Sequence, residues 1–238
     1  MRASLREQLA ALRGAPEDSL PEALLDISVQ RVSLPGGDVF LLRPVDWEEL
    51  RHQEGGAGRP VPYWATPWPS GGVLARTLAE DPPPAGARVL ELGCGLGLPS
   101  IAAARAGADV LATDGASDAV AFTAHSLALN ELVGEVAQVD WGAQGDALAA
   151  RGPWDLVVAA DVLYLQANVE IALRLIPRLV APDGEIRLAD PRRAAAREFL
   201  AAARATFTVR TRDDGDVALH RLTRRPQGIR AGSPRPGR

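Results

Sequence analysis

The sequence predicts an α/β protein built on a doubly wound, mainly parallel sheet. From Arg88 onward, short apolar runs recur: "RVLEL", "DVLAT", "EVAQVD", "WDLVVAAD" and "GEIRLAD". Stretches with helical spacing lie around them, at about 98–106, 116–130, 168–180 and 191–205. The runs are apolar throughout rather than alternating, as in strands buried on both faces, and such strands separated by helices form parallel βαβ units.

The other elements follow in chain order. Residues 3–13 carry an Arg/Glu amphipathic pattern and predict a short helix. "ISVQRVSLPGGDVFLLRPV" holds two alternating runs around "LPGGD", a β-hairpin with Gly36 and Gly37 in the turn. "RHQEGGAGRP" predicts a mobile loop. "YWATPWPSGGVLARTLAE" turns helical from about Ser70, and "DPPPAGA" breaks that helix. Near the other end, "FTVRTRDDGDVALHRLT" reads as strand, turn at Asp214-Gly215 and strand, an antiparallel pair. The Arg/Pro/Gly-rich "RRPQGIRAGSPRPGR" predicts disorder. The expected organisation is an extension over 1–59, a core domain over 60–223 and a tail over 224–238.

Composition narrows the function classes. The 238 residues suffice for a packed core, and 47% hydrophobic with 24% charged content is ordinary for a soluble globular protein. A net charge of -4 argues against non-specific nucleic-acid binding, which needs a concentrated basic face. All 26 basic residues counted as Lys+Arg are Arg, consistent with a GC-rich genome given the abundance of Ala and Gly. Cys94 is the single cysteine, so an internal disulfide and a multi-cysteine zinc site are excluded. His52, His125 and His220 fall in separate elements without metal-ligand spacing, so no metal is expected. Neither the apolar core of a signal peptide nor a run of about 18 apolar residues is found, so the expectation is a cytoplasmic protein without a membrane partner.

The chemistry concentrates in "VLELGCGLGLPS". A glycine turn after a first parallel strand brings backbone close to a ligand at the strand's carboxyl end. A dinucleotide site wants G-x-G-x-x-G, and here Leu98 occupies the third glycine position. The pattern is instead acid-x-G-x-G-x-G, formed by Glu91, Gly93, Gly95 and Gly97. An acid there repels a pyrophosphate but suits a cation. S-adenosylmethionine carries an ammonium and a sulfonium and no phosphate, and Glu91 can hold its ammonium directly or through water. Asp114 ends the second strand, where an acid accepts ribose hydroxyls. Asp140 and Trp141 follow the third strand, where a carboxylate accepts the adenine amino group and an indole covers the ring. Cys94 reads as a small packed residue rather than a nucleophile.

These residues resemble the motifs of the class I, seven-stranded S-adenosylmethionine-dependent methyltransferases, over roughly residues 60–222. The resemblance implies a Rossmann-like sheet of order 3-2-1-4-5-7-6 with the last strand antiparallel. "D-x-x-Y", formed by Asp161 and Tyr164 after strand four, looks like the signature of the family-16 methyltransferases, a group rich in protein-lysine methyltransferases. "PYWATPWPSGGVLARTL" is similar to the W-x-x-x-W-P-x-G segment before the glycine motif in that family. It resembles in particular the enzymes that methylate lysines of the electron-transfer-flavoprotein β subunit. There the second Trp covers the cofactor, a role that falls here to Trp68, with Ser70 and Gly71 in the following turn. The D/N-P-P-Y/F/W motif of enzymes that methylate base amines is missing from "DVLY", which argues against DNA as substrate. This sequence departs from the family in Ala160 before "DVLY" and in its short loops.

Methyl transfer is an in-line displacement at carbon that leaves a neutral thioether, so alignment matters more than acid–base work. An amine acceptor must arrive neutral. Asp161 can accept its N–H bonds, and the Tyr164 ring can flank the cationic centres. The bland alternatives are a helix cap for Asp161, a half-buried aromatic for Tyr164, core packing for Trp141, and packing of the N-terminal segment for Trp64 and Trp68. Asp190 reads as a cap of the next helix, with Arg192 and Arg193 solvated. The leading expectation is methylation of a protein lysine. Small-molecule N- or O-methylation of the nicotinamide type and a non-catalytic S-adenosylmethionine-binding protein remain open.

Overall fold

The computed structural model describes residues 2–226. The part of the expected tail from residue 227 to 238 lies outside them. Nine strands and nine α-helices are present among the described residues.

A two-stranded antiparallel hairpin, β1 (Ile27–Leu34) and β2 (Gly37–Pro44), precedes the core. Its register pairs Leu34 with Gly37, so the turn is Pro35-Gly36 and Gly37 already belongs to the strand. The hairpin and helix α1 (Arg2–Arg13) both pack on helix α6 (Ser117–Leu129). Polar contacts fix the seat. The Leu42 amide donates to Ser126 Oγ at 3.0 Å, and the Phe40 amide to Asn130 Oδ1 at 2.8 Å. Arg13 Nε donates to Asp118 Oδ1 at 2.8 Å and its Nη2 to Glu54 Oε1 at 2.7 Å, with all three side chains buried. A buried cation between two carboxylates is costly to break from one side, by about 3–5 kcal/mol.

Glu54 lies where a loop was expected. The expectation of a mobile segment over 51–60 is corrected by helix α3 (Trp47–Gly56). Asp46 caps it, accepting the Glu49 amide at 3.0 Å, and Leu50 is fully buried. Burial of Leu50 and the ion pair of Glu54 outweigh the low helix propensity of Gly55 and Gly56 at the frayed end.

The core sheet holds β3 (Arg88–Leu92), β4 (Asp109–Asp114), β5 (Glu135–Gln138), β6 (Trp154–Ala160), β7 (Val180–Asp190), β8 (Phe207–Asp214) and β9 (Val217–Arg224). Their order is β5-β4-β3-β6-β7-β9-β8. Counted from the first core strand, this is 3-2-1-4-5-7-6. The first five run parallel, and β9 pairs antiparallel with both β7 and β8. The β8–β9 turn is Gly215-Asp216, one residue past the expected place. Strand β7 starts at Val180, earlier than its apolar run, and the β6–β7 register shifts between Trp154 and Leu156. The sheet divides the core. One side holds α1, the hairpin, α6, α4 (Pro69–Glu80) and α5 (Leu98–Arg105). The other holds α7 (Trp141–Arg151), α8 (Gln166–Leu179) and α9 (Ala194–Ala203). Helix α7 was not expected from the sequence. Asp140 caps it, and Leu148 buries one face. Edge strand β8 is largely exposed and carries Arg210 and Arg212, charges that suit an unpaired edge.

Candidate active site

The carboxyl ends of β3, β4, β5 and β6 bring the sequence-selected residues to one edge of the sheet. Glu91 pairs in register with Ala112, and Asp114 lies two residues beyond Ala112, so both acids project from the same face. Asp114 Oδ2 accepts the Gly95 amide and its Oδ1 the Ala116 amide, both at 2.9 Å. Asp114 therefore holds the glycine loop in place. Burial pushes its carboxyl up, against the pull of the amides of Ala116, Gly95 and Gly115.

Glu91 is 1% exposed. Its Oε2 accepts the Ser100 amide at 2.9 Å and a short bond from the Ser100 hydroxyl. Ser100 lies in the first turn of α5, so the acid ties that helix to β3 from below the loop. Burial pushes Glu91 up to about 8; the Ser100 bonds oppose this, and the charge of Asp114 adds to it.

Gly93, Gly95 and Gly97 all have positive φ. A side chain at Gly93 would stand 2.7 Å from Val162 Cγ1 and 3.9 Å from Trp141 Cζ2. At Gly97, with φ +82°, it would stand 2.6 Å from Thr123 Cγ2. The glycines thus admit protein neighbours as well as a ligand. Gly97→Ala is expected to lower stability by about 2–3 kcal/mol, from strain plus overpacking against Thr123. Chemical denaturation checks this, and Gly71→Ala, with open space around its Cα, serves as the mild comparison.

Cys94 is buried with Sγ 3.4 Å from Thr123 Oγ1, and burial pushes its thiol up, consistent with a packing role. Asp140 is exposed, and its Oδ1 is used by the Ala143 amide at 2.9 Å. The half-buried ring of Trp141 lies beside Gly93.

Trp68 belongs to an aromatic row. Its ring lies 6.4 Å from both Trp47 and Tyr63, and its Nε1 donates to the Tyr63 carbonyl at 2.7 Å. Trp64 approaches the loop: its carbonyl oxygen is 3.3 Å from the position of a Gly95 Cβ, and its ring packs on Phe122 at 5.0 Å.

Asp161 follows β6 with φ +56°, and its amide donates to the Ala189 carbonyl at 2.8 Å. Its side chain is only 7% exposed, and Oδ1 accepts Arg193 Nε at 2.6 Å. Arg193 is exposed, as expected, but its charge is also paired, drawn to Asp161 across 32 residues of sequence. Arg192, also expected in solvent, pairs with Asp213 at 3.1 Å. The expectation that Asp190 caps the next helix is corrected: the N-cap of α9 is Arg193 and no side chain caps it; Asp190 Oδ1 instead accepts the Arg193 amide at 2.7 Å, in the turn before the helix. Tyr164 is half-exposed and faces Tyr63 at 5.9 Å. Burial pushes its phenol up, and Asp114 adds to this.

Residues 66–205 match the family model described as lysine methyltransferase. The chain belongs to the lysine methyltransferase family. It is 37% identical over 136 residues to the electron transfer flavoprotein beta subunit lysine methyltransferase of Xenopus laevis, covering 56% of this chain and 54% of that protein. It is 36% identical over 131 residues to the ubiquinone biosynthesis O-methyltransferase of Xanthomonas axonopodis, covering 53% and 52%. The chain spans about half the length of the relatives it matches. In fold it is similar to the T. thermophilus 16S rRNA methyltransferase solved in complex with AdoMet and guanosine. The TM-score is 0.63 at 17% identity, covering 84% of this chain and 51% of that one.

Family and fold make S-adenosylmethionine the cofactor of this methyltransferase domain, and the residues present fit it. Asp114 accepts the Gly95 and Ala116 amides, and a carboxylate offers about four lone-pair sites, so acceptor capacity remains for a ribose hydroxyl. Glu91 is a buried acid beside which a cation would be stabilised. The buried hydroxyls Thr66 Oγ1 and Ser70 Oγ, in the segment before the glycine loop, have no partner.

Proposed function

We propose that this lysine methyltransferase family member transfers a methyl group to a lysine side chain of a protein. S-adenosylmethionine supplies the electrophilic methyl on its sulfonium. Glu91 holds the ammonium end, directly or through water, and Asp114 the ribose hydroxyls. Gly93, Gly95 and Gly97 shape the loop. Asp140, through the oxygen not used in capping, and Trp141 address the adenine, while Trp68 closes the cofactor side through its aromatic row. Asp161 accepts N–H bonds of the incoming amine and orients its lone pair, and Tyr164 flanks it. The division into an extension over 1–59 and a methyltransferase domain over 60–223 belongs to the same reading.

The observation that carries the protein acceptor is the exposed surface that follows Asp161 in the chain. Tyr164 and Leu165 are 45% and 54% exposed, and Tyr63, 48% exposed, faces Tyr164 at 5.9 Å. Exposed aromatic and aliphatic groups in this segment suit the stem of a lysine presented by another protein. The enclosed cavity behind Val162 and Leu163 measures about 10 Å³, room for one water molecule rather than an acceptor. The net charge of -4 supports the expectation that nucleic acid is not the partner. Among the described residues no helix is long and apolar enough to cross a membrane. A cytoplasmic location is part of the proposal.

Calorimetry with S-adenosylmethionine tests the cofactor pose. Asp114→Ala is expected to weaken binding at least ~100-fold, about 2.7 kcal/mol, because ribose contacts and the Gly95 amide anchor go together. Unchanged affinity would remove the assignment. Labelled S-adenosylmethionine in cell lysate tests the acceptor, with label expected on protein lysines. Label confined to small molecules would favour the second reading, for which the similarity to an O-methyltransferase speaks.

A further inference from the structure

We propose that Arg193 is an internal stand-in for the acceptor cation: its guanidinium sits where a substrate lysine docks on Asp161, and the acceptor must displace it. This rests on the lysine reading above.

Four observations meet at this pair. The Asp161 carboxylate is nearly closed off from solvent, and Arg193 Nε reaches it at 2.6 Å. Both approaches are made by left-handed backbone at residues other than glycine, Asp161 with φ +56° and Arg192 with φ +61°. Such conformations are strained and persist where surrounding structure enforces them, often at functional sites. Here they turn the two side chains toward one another, with the Asp161 amide held by Ala189 and the Arg193 amide by Asp190. Next to the pair, with its other oxygen on the Arg193 amide, Asp190 Oδ2 is buried and has no partner among the described residues, so the seat carries more negative capacity than Arg193 uses. Finally, the Arg193 side chain is 40% exposed, so it can swing out toward solvent without unpacking the core. Val162, next to Asp161, abuts Gly93, which places this seat beside the cofactor loop.

A lysine side chain at 193 carries its nitrogen one bond beyond the place of Arg193 Nε, within reach of the same carboxylate. The variant Arg193→Lys therefore becomes its own acceptor. The ammonium loses a proton to water, and the nitrogen lone pair forms the N–C bond as the S–C bond breaks. That bond's electron pair stays on sulfur as the thioether. The native chain contains no lysine, so the introduced one is the sole ε-amine. Peptide mapping by mass spectrometry after incubation with S-adenosylmethionine is expected to find methyl groups at position 193, formed at a rate independent of protein concentration. A second measurement needs no cofactor. Arg193→Ala, with the seat vacated, is expected to bind n-butylammonium roughly tenfold more tightly than the native chain in an NMR titration.

Methylation at 193 together with the tighter n-butylammonium binding supports the stand-in. If the native chain labels protein lysines in lysate while position 193 stays unmodified and the two n-butylammonium affinities agree, the stand-in is overturned and the lysine reading survives. If neither lysate lysines nor position 193 take label although S-adenosylmethionine binds, the lysine reading falls and the stand-in with it.

Discussion

Asp161→Asn is expected to lower the turnover of methyl transfer about 10²- to 10³-fold while S-adenosylmethionine affinity stays within about twofold. Asn suits the test because it keeps the shape of Asp and tolerates the left-handed φ of +56° that this position requires. What changes is the charge and half of the acceptor capacity. A carboxylate accepts from both hydrogens of an incoming amine, whereas a carboxamide places its own N–H₂ against one of them. The lone pair then points away from the line of displacement, and misalignment of this kind costs orders of magnitude because the reaction is governed by positioning. The acids proposed to hold the cofactor, Glu91 and Asp114, lie on β3 and β4 rather than at Asp161, so the ground-state affinity has no reason to follow. The same substitution loosens Arg193, whose charge is then held by one fewer anion. Single-turnover transfer with calorimetry on the same preparation checks both halves. A native rate would leave Asp161 as a cap and a partner for Arg193, with no part in transfer.

The parts of this molecule that sequence displays are those fixed by neighbours close along the chain. The strands show because β3, β4 and β6 are apolar on both faces. The glycine loop shows because its positive φ values demand glycine. What stayed hidden depends on partners far apart in sequence. Glu54 is buried because Arg13, 41 residues earlier, and through it Asp118 neutralise it, so its helix read as a loop. The ion pair of the exposed Arg193 was hidden because its partner stands 32 residues before it. Gly97 was legible as permissive, but the Thr123 methyl that fills its side-chain space was not. Helix α7 escaped because Gly142 and Gly145 interrupt its pattern; Gly145 is there to let Leu175 of α8 pack close. The anchoring of Glu91 by Ser100 was within view, nine residues on in the same motif, yet only the fold shows that the first turn of α5 comes back over the strand.

That anchoring sets up the second large effect. Glu91→Gln is expected to be more stable than the native chain at pH 8, about equal at pH 5, and weaker at holding S-adenosylmethionine throughout. In the unfolded chain Glu91 ionises near 4.5; in the folded chain burial holds its proton up to about 8. Between those values the folded state carries a proton that the unfolded state has lost. Stability from this group is therefore fully present below pH 4.5 and declines as pH rises toward 8, by on the order of 4 kcal/mol. A carboxamide has no such proton, and its oxygen still accepts from Ser100, so the penalty disappears. Asp190 is raised by burial as well, and His220 is lowered by burial, but these remain in both proteins and drop out of the difference; the repulsion between Asp114 and an ionised Glu91 is part of what Gln removes. Denaturant unfolding between pH 5 and 8.5 measures that difference, which should grow with pH in favour of Gln. Cofactor binding reverses the preference. An ammonium beside Glu91 favours its ionised form, so below pH 8 the native chain should release a proton on binding, and the Gln variant should release none and bind at least about tenfold more weakly. Calorimetry in buffers of different ionisation enthalpy reads the proton directly. Equal proton release from both proteins, or a Gln variant less stable at every pH, would mean that Glu91 serves only to hold Ser100. The expected pair of results means instead that the fold carries a buried, proton-holding acid at a cost to its own stability above neutral pH, because a cationic ligand is to sit beside it.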